Sequence, residues 1–396
     1  MPRVNELWHR LPESPTRALD RLLEALGRRD IVNLAAGRPG LRPPDWVLEW
    51  LADRLASGGL EPFGYTPSGG LMEAREAVAE DIWETGGPRV SWEEVILTAG
   101  GQSSVAAALH ALGRAGGRVL LVEPTWFSYE PLIRSAGMEP VFVTAEPPDY
   151  RLPEEAVKEA VESGVSMILL ADPDNPTGRL LTEGEARLLA ELAVDHDIWL
   201  IVDEPYRTLV YEGSKVYPAR YAPDHVVGVG AFSKDPGIPG WRLGYAYGPP
   251  EAIKAMERFV EYTVYCPPRP AQELVAMYLR DPRKREFRRM FQLEYRKRRD
   301  TLLKALAELA PEAGYSKPPA GMFVYADVSR YTGRGRGVTV RFAEHALRSA
   351  GVAVIPGEFF GPRQAGRLRL TFTYEPGERL VEGVRRLATA LNSFKI

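Results

Sequence analysis

The sequence contains a single cysteine, Cys266, among its 396 residues. One thiol cannot form an intramolecular disulfide, and it cannot supply the cysteine ligands of a zinc or iron–sulfur site. Long apolar runs are also absent. No stretch approaches the ~20 residues that cross a bilayer, and the N-terminal residues lack the apolar segment of a secretion signal. We therefore expect a protein of the reducing cytoplasm without a membrane partner.

An excess of charge of one sign is lacking as well. Fifty Lys and Arg residues oppose 53 Asp and Glu residues, which gives a formal net charge of −3. This balance does not favour nucleic acid as a partner. Lysine itself is scarce, with nine residues beside 41 arginines, and the first lysine is Lys158. Few positions are therefore available for lysine chemistry.

The remaining composition is that of a globular protein, with 45% hydrophobic and 26% charged residues, and the length suggests about two domains. From residue 91, short apolar runs alternate with helical segments, which predicts an α/β domain with a parallel sheet covered by helices. After about residue 250 the pattern indicates a smaller α+β domain. We predict a large domain over 46–275 and a small domain that combines 1–45 with 276–396.

Two helical segments can be delimited from sequence signals. Residues 14–27 read as an amphipathic helix with Ser14 as its N-cap and Gly27 as its end. The basic stretch 282–309 could offer a face to nucleic acid, but its apolar residues recur at near-helical spacing, which favours a solvated amphipathic helix. Those apolar residues are Phe287, Met290, Phe291, Leu293 and Tyr295.

Polar side chains and glycines cluster where the predicted parallel strands end. Ligands of such sheets bind beyond the carboxyl ends of the strands, so these residues should share one rim. The rim would combine a glycine turn at a helix N-terminus, an aromatic face, a carboxylate, a phenol, a lysine and an arginine. In chain order the residues are Gly100, Gly101, Gln102, Thr125, Trp126, Asn175, Asp203, Tyr206, Ser233, Lys234 and Arg242.

This set of side chains suits pyridoxal phosphate. The cofactor needs a lysine for a Schiff base and a carboxylate that keeps its pyridine nitrogen protonated. It also needs donors for its phosphate and a flat surface for its ring. The rim provides a candidate for each requirement.

The order of the motifs resembles the class I/II aminotransferases, the aspartate aminotransferase family of fold-type I pyridoxal-phosphate enzymes. The sequence NPTG is followed by DEPY and then by SKDPGIPGWRLGY, at spacing similar to that of the family. The likeness extends from GRPG at 37–40 to RLRLTF at 367–372. It implies a mostly parallel, seven-stranded sheet in the large domain and a ping-pong transfer of an amino group from an L-amino acid to a 2-oxo acid.

The resemblance also implies roles for individual residues around the cofactor ring. Lys234 is similar to the Schiff-base lysine that also moves the α-proton, and Asp203 to the partner of the pyridine nitrogen. Asn175 and Tyr206 resemble the partners of the phenolic oxygen. Trp126 resembles the ring that stacks on the cofactor.

Further roles concern the phosphate. Gly100, Gly101 and Gln102 resemble the phosphate turn, and Ser233 and Arg242 resemble further phosphate ligands. Tyr65 is similar to a tyrosine that reaches the phosphate of the neighbouring subunit, which implies a homodimer.

The substrate side rests on an arginine near the C-terminus. Arg369 resembles the residue that binds the substrate α-carboxylate, and Gly37 and Asn175 would lie near that carboxylate. Arg367 lies on the same strand face, so strand alternation does not choose between the two arginines. The family pattern favours Arg369.

Two positions depart from the family pattern. Ala231 stands three residues before Lys234, where Ser or Gly is usual, and Asp235 follows the lysine where a small hydroxyl residue is common. Asp235 would place a negative charge near the phosphate unless it points away or is paired.

Two other functions remain to be weighed against transamination. A β-lyase or related eliminating enzyme would use the same anchors. A pyridoxal-phosphate-binding regulator of this superfamily usually has an additional DNA-binding domain, for which we expect no room before GRPG. The substrate pair is open between acidic, aromatic and branched-chain amino acids. One dicarboxylate-using subgroup has a lysine where this chain has Gln102.

Overall fold

The computed structural model of the chain describes residues 5–11, 13–27 and 30–395. Its helices are α1 Glu6–Arg10, α2 Pro15–Leu26, α3 Asp45–Ser57, α4 Met72–Glu84, α5 Gly101–Leu112, α6 Tyr129–Ser135, α7 Glu154–Glu162, α8 Glu183–Asp195, α9 Pro250–Thr263, α10 Arg269–Arg280, α11 Arg283–Leu309, α12 Ser329–Thr332, α13 Val338–His345 and α14 Gly377–Ser393. Its strands are β1 Val32–Asn33, β2 Val95–Thr98, β3 Arg118–Glu123, β4 Glu139–Thr144, β5 Met167–Ala171, β6 Trp199–Asp203, β7 Val226–Ala231, β8 Gly244–Tyr247, β9 Gly314–Tyr315, β10 Phe323–Asp327, β11 Val352–Ala353, β12 Ile355–Pro356 and β13 Arg367–Thr371.

Seven strands form one sheet in the order β2-β8-β7-β6-β5-β3-β4. Only β8 runs against its neighbours β2 and β7, so the sheet is mostly parallel. Strands β2, β5 and β8 are buried along their whole length, which explains why their sequences show apolar runs instead of alternation. The predicted α/β fold class with a seven-stranded sheet is confirmed.

A smaller antiparallel sheet follows in the order β12-β13-β10-β9. Strand β1 pairs in parallel with β11, which brings the N-terminal segment against the C-terminal part of the chain. The three sheets fall within the intervals predicted for the two domains, while α10 runs across the predicted boundary at residue 275. The exact domain boundaries stay a prediction.

The two predicted helices form with the expected signals. Ser14 Oγ accepts a hydrogen bond from the Arg17 amide at the start of α2, and Gly27 ends the helix in a left-handed conformation with φ 60°. The basic stretch forms α11, which buries Phe287, Phe291 and Tyr295. Met290 and Leu293 are exposed instead, because they fall outside the apolar face. Within the described ranges, no helix combines the length and apolarity that a bilayer crossing requires.

Candidate active site

A cavity of about 730 Å³ opens where the predicted rim meets the small antiparallel sheet and helix α2. Its walls come from segments that are far apart in the sequence. Eleven of the predicted site residues line it: Gly37, Gly101, Gln102, Trp126, Asn175, Asp203, Tyr206, Ser233, Lys234, Arg242 and Arg369. The carboxyl ends of β5, β6 and β7 thus converge on one space, as parallel strands require.

Lys234 follows β7 and extends into the middle of this cavity. Its ammonium donates a hydrogen bond to the carbonyl oxygen of Gly37 and lies 5.8 Å from the ring centre of Tyr206. Burial, together with the positive charges of Arg369 and Arg242, lowers the pKa of Lys234 to about 8. A substantial fraction of this amine is therefore neutral near physiological pH, as a nucleophile or a base requires.

Asp203 is the last residue of β6 and presents a buried carboxylate to the cavity. Its side-chain partner among the described residues is a phenol, since Tyr129 Oη donates to Asp203 Oδ2 at 2.7 Å. Burial raises the pKa of Asp203 to about 7, against the opposing effect of the Tyr129 hydrogen bond. A carboxylate in this position would be stabilised by a cationic N–H group in the cavity.

The glycine turn after β2 brings Arg242 against the first turn of α5. Gly100 has φ 97°, and a Cβ there would lie 2.4 Å from Arg242 Nη2. Only glycine therefore permits this approach. The free amides of Gly101 and Gln102 and the guanidinium of Arg242 lie together on one wall of the cavity, at the positive end of a 12-residue helix. This wall is suited to an anion.

Arg369 is a further cation of the cavity lining, and β13 pairs it with Tyr325 of β10. It donates to Asn175 Oδ1 at 3.1 Å and to the Ala35 carbonyl at 3.0 Å, while its Nε has no hydrogen-bond partner among the described residues. Burial lowers the pKa of Arg369 to about 10, so it remains charged at neutral pH. A buried guanidinium with a free donor and no carboxylate partner is ready to bind one.

Arg367 occupies a different environment from Arg369. Its Nη1 donates to the Arg363 carbonyl and to Gln364 Oε1, and it does not contribute to the cavity wall. The structure thus separates two arginines that strand alternation left equivalent.

Two aromatic residues complete the wall around Lys234. Tyr206 is buried, packs edge-on against Phe323, and faces the cavity. Burial raises its pKa, so the phenol stays a hydrogen-bond donor. Trp126 packs at 88° against Tyr129 with ring centres 5.2 Å apart. Trp126, Tyr129 and Tyr206 thus give the cavity an aromatic lining.

Tyr65 lies apart from this group. It is 80% exposed, contacts Tyr265 edge-on at 5.1 Å, and does not line the cavity of its own chain. Gly100 stands just behind the wall.

Both departures from the family pattern have a defined structural setting. Ala231 lines the cavity beside Gly101, where a Cβ would come within 3.0 Å of the alanine methyl group. Asp235 is buried and points away from the cavity. Its carboxylate accepts hydrogen bonds from Tyr278 Oη and from Arg288 Nε, the latter at 2.7 Å. Its charge is therefore paired.

Several cavity residues escaped the sequence analysis. Helix α2 contributes Thr16, Arg17 and Asp20, and the small sheet contributes Phe323. The capped start of α2 was visible in the sequence, but no local signal indicates that this helix covers a cavity built by strands 80 to 350 residues away. Tyr129, the partner of Asp203, likewise carries no motif.

The fold is an α/β fold, and the cavity is suited to a small ligand that carries anionic groups. Comparison with known proteins agrees: the family model for aminotransferase class I and II matches residues 29–387. The chain therefore belongs to the class I and II aminotransferases.

Similar proteins carry related names. A probable aspartate/prephenate aminotransferase of Thermus aquaticus is 36% identical over 366 residues, which covers 91% of this chain and 92% of the relative. An aromatic-amino-acid aminotransferase of Thermococcus litoralis is 29% identical over 94% of both chains. The solved structure of Thermus thermophilus aspartate aminotransferase with maleate gives a TM-score of 0.91 at 34% identity, covering 98% of this chain and all of the other. The protein is thus an aminotransferase, and none of these comparisons favours the eliminating alternative.

Proposed function

We propose that the cavity binds pyridoxal phosphate and uses it to move an amino group from an L-amino acid to a 2-oxo acid. The observation that carries this proposal is the set of unmatched charged groups in one cavity. Lys234 has a carbonyl as its hydrogen-bond partner, Asp203 has a phenol, and Arg369 retains a free Nε–H. Buried charges of this kind are costly unless a ligand completes them.

The residues present fit the cofactor. Asp203 would accept the N–H of the pyridinium ring, and Trp126 would cover the ring face. Asn175 and Tyr206 would hold the phenolic oxygen. The amides of Gly101 and Gln102, the turn at Gly100, Ser233 and Arg242 would hold the phosphate. The methyl group of Ala231 adds no donor, and the carboxylate of Asp235 pairs with Arg288 outside the cavity lining, so it does not face the phosphate.

The chemistry is then divided between the cofactor and the chain. When bound, pyridoxal phosphate supplies a carbonyl group that takes up the amino group and a ring that accepts electrons. Arg369 would hold the substrate α-carboxylate with two parallel hydrogen bonds, beside the backbone of Gly37. The neutral amine of Lys234 would take the proton from the substrate α-carbon and return it on the other side of the reaction. The carboxylate of Asp203 would stay ionised once a cation faces it.

A homodimer is the second part of the proposal, and an exposed aromatic surface supports it. Leu60, Phe63, Tyr65, Tyr262 and Tyr265 are between 56% and 89% exposed. Tyr65 and Tyr265 are in edge-on contact, and grouped exposed apolar side chains mark an interaction site. We propose that a second copy covers it and that Tyr65 contacts the phosphate bound in that copy.

We also propose an acidic amino donor. Similar proteins are named aspartate or aspartate/prephenate aminotransferases. The support within this chain is Arg17 of α2, which lines the cavity and whose guanidinium has no ion pair within the described ranges. Arg38, the other unassigned cation of the wall, already donates to Tyr374 Oη at 2.8 Å. Arg17 is therefore the candidate to bind the distal carboxylate of an acidic substrate. Gln102 is neutral and cannot supply the positive charge.

The test is the absorption spectrum of the purified protein with pyridoxal phosphate, followed by single amino acids without an acceptor. We expect a visible band of the lysine-bound cofactor that disappears with release of one equivalent of 2-oxo acid, fastest with aspartate or glutamate. Continuous release of pyruvate and ammonia would instead demonstrate an eliminating enzyme. Absence of any visible band would refute the role of Lys234.

A further inference from the structure

Directly behind the cavity lies a group of buried charges that belongs to none of the roles above. We call it the charge cluster and define it as Asp81, Arg207, Asp235, Lys284 and Arg288. Its members come from α4, from the segments after β6 and β7, and from α11. Two of them directly follow cavity residues in the sequence, since Arg207 follows Tyr206 and Asp235 follows Lys234.

Asp81 is the centre of the cluster and is fully buried. Its two carboxylate oxygens receive Arg288 Nη1 at 2.7 Å and Nη2 at 2.9 Å, a bidentate pair. Lys284 Nζ lies 2.9 Å from the same carboxylate, and Arg207 Nη2 also donates to it. Three cations thus surround one anion, and two further carboxylates pair with them: Glu84 with Lys284 at 3.0 Å, and Asp235 with Arg288.

Asp235 is the carboxylate at the end of the cluster nearest to the cavity, because it directly follows Lys234 in the sequence. Arg288 uses its remaining donor, Nε, to bind Asp235 Oδ2 at 2.7 Å. Tyr278 of α10 donates to the other oxygen. The guanidinium of Arg288 therefore bridges α4 to the residue that follows Lys234, with all three of its donor nitrogens in use.

We propose that Asp235 is a positioning residue for Lys234: its ion pair with Arg288 fixes the backbone from which the lysine side chain extends and balances the charge behind it. The proposal rests on the role of Lys234 proposed above. A side chain on a loop between two strands has no helix or strand of its own to hold it. The bidentate link through Arg288 to α4 and α11 provides that support.

The electrostatic part of the proposal follows from the surroundings of both residues. Lys234 faces Asp203 of β6, Arg242 of the segment before β8, Arg369 of β13 and the phenol of Tyr206. Asp235 faces Tyr278 of α10 and Arg288 of α11. If the charge of Asp235 is removed, the repulsion of the Lys234 ammonium by Arg242 and Arg369 is less compensated. The protonated form of Lys234 then becomes less favourable, and its pKa falls.

Two substitutions separate charge from position. Asp235→Asn keeps the size and the acceptor oxygen but removes the charge. Asp235→Glu keeps the charge but displaces the carboxylate and the backbone that carries it. The matched control is Glu84→Gln, which removes an acid from the far end of the same surroundings, where Glu84 pairs with Lys284 at 3.0 Å and is 42% exposed.

The first readout is the labelling of Lys234 in the full-length protein without cofactor. A pulse of acetic anhydride acylates neutral amines, and peptide mapping reports Lys234 against the eight other lysines. We expect Asp235→Asn to be labelled at Lys234 about threefold faster than wild type at pH 7, with Glu84→Gln unchanged. Equal rates in all three proteins would overturn the electrostatic claim, and so would an equal increase in both variants.

The second readout is steady-state kinetics of the holoenzyme with its best donor. We expect Asp235→Glu to lower kcat about tenfold with KM nearly unchanged, because the lysine is displaced while the substrate contacts remain. A kcat equal to that of wild type would overturn the positioning claim. Asp235→Glu retains the negative charge, so it still tests the positioning claim if Asp235→Asn does not fold. The labelling experiment needs no turnover, so a failure of the proposed function would be seen separately, as an inactive wild-type protein.

Discussion

The cavity and the charge cluster are two neighbouring regions in which buried charges are treated in opposite ways. In the cluster, each buried carboxylate receives ion pairs, and Asp81 alone contacts three cations. In the cavity, the hydrogen-bond partners of Lys234, Asp203 and Arg369 among the residues that the structure describes are neutral groups. Matched charges make a structural unit, whereas unmatched charges in a cavity mark a binding site.

The largest effect should come from the cavity. Lys234→Ala removes the proposed nucleophile and base but no ion pair, so we expect a folded protein whose turnover is at least ~10³-fold lower. Formation of 2-oxo acid over many turnovers measures it. Lys254→Ala, at an exposed position of α9, is the matched control. Multiple turnover at the wild-type rate by the Lys234 variant would contradict the assignment.

Alanine substitution of a charged residue in the charge cluster should lower the stability of the fold instead of the turnover. Asp81→Ala leaves three cations around a site without a carboxylate, and we expect a loss of roughly 3–5 kcal/mol in the free energy of unfolding. Urea denaturation of the protein without cofactor measures it. The control is Asp224→Ala, at an exposed position. A loss below about 1 kcal/mol would show that the cluster is not the structural unit that its geometry indicates.

Substitution of Asp203 should change the free energy of unfolding in the opposite direction from substitution of Asp81, because Asp203 has no ion-pair partner among the described residues. Its pKa of about 7 in the folded chain exceeds the 3.8 of a free carboxyl group, so unfolding releases a proton between these values. The stability of the protein without cofactor therefore falls as pH rises through that window. Asp203→Asn removes this cost, and we expect the variant to be roughly 2 kcal/mol more stable than wild type at pH 8, with little gain near pH 4.

The control for this prediction is a matched carboxylate. Asp172 pairs with the buried Lys215 at 2.6 Å, so Asp172→Asn should destabilise the protein at pH 8. Urea midpoints at pH 5 and pH 8 test both variants. If Asp203→Asn is destabilised at pH 8 as well, the carboxylate is held by partners that its geometry does not reveal.

The difference between the two regions also explains what the sequence could predict. Buried parallel strands are recognised in the sequence as apolar runs, and the residues that follow these runs must lie at one edge of the sheet. The fold class and the grouping of Asp203, Lys234 and Asn175 follow from that rule. These assignments need no knowledge of how distant side chains pack.

Long-range packing decided everything that was missed or left open. Arg367 and Arg369 share a strand face, but Arg369 donates to Asn175 and to the Ala35 carbonyl, both far away in the sequence, whereas Arg367 donates to Gln364 and does not line the cavity. The partner of Asp235 lies 53 residues away, and that of Arg288 lies 207 residues away. The approach of α2 to the cavity depends on the same kind of contact. No local pattern encodes such pairings.

The smallest effect is expected from Arg17→Met, and its KM values test whether Arg17 binds the substrate. Arg17 is exposed, so its attraction for a distal carboxylate is screened by water, and we expect Arg17→Met to raise KM for aspartate about tenfold. The KM for alanine, which has no second carboxylate, should not change. Arg21→Met, one turn later on α2, is the matched control, because Arg21 already pairs with Glu13. An equal rise in KM for both substrates would mean that Arg17 shapes the cavity without binding the distal carboxylate, and the charges that select a ligand would then be those of Lys234, Asp203, Arg242 and Arg369.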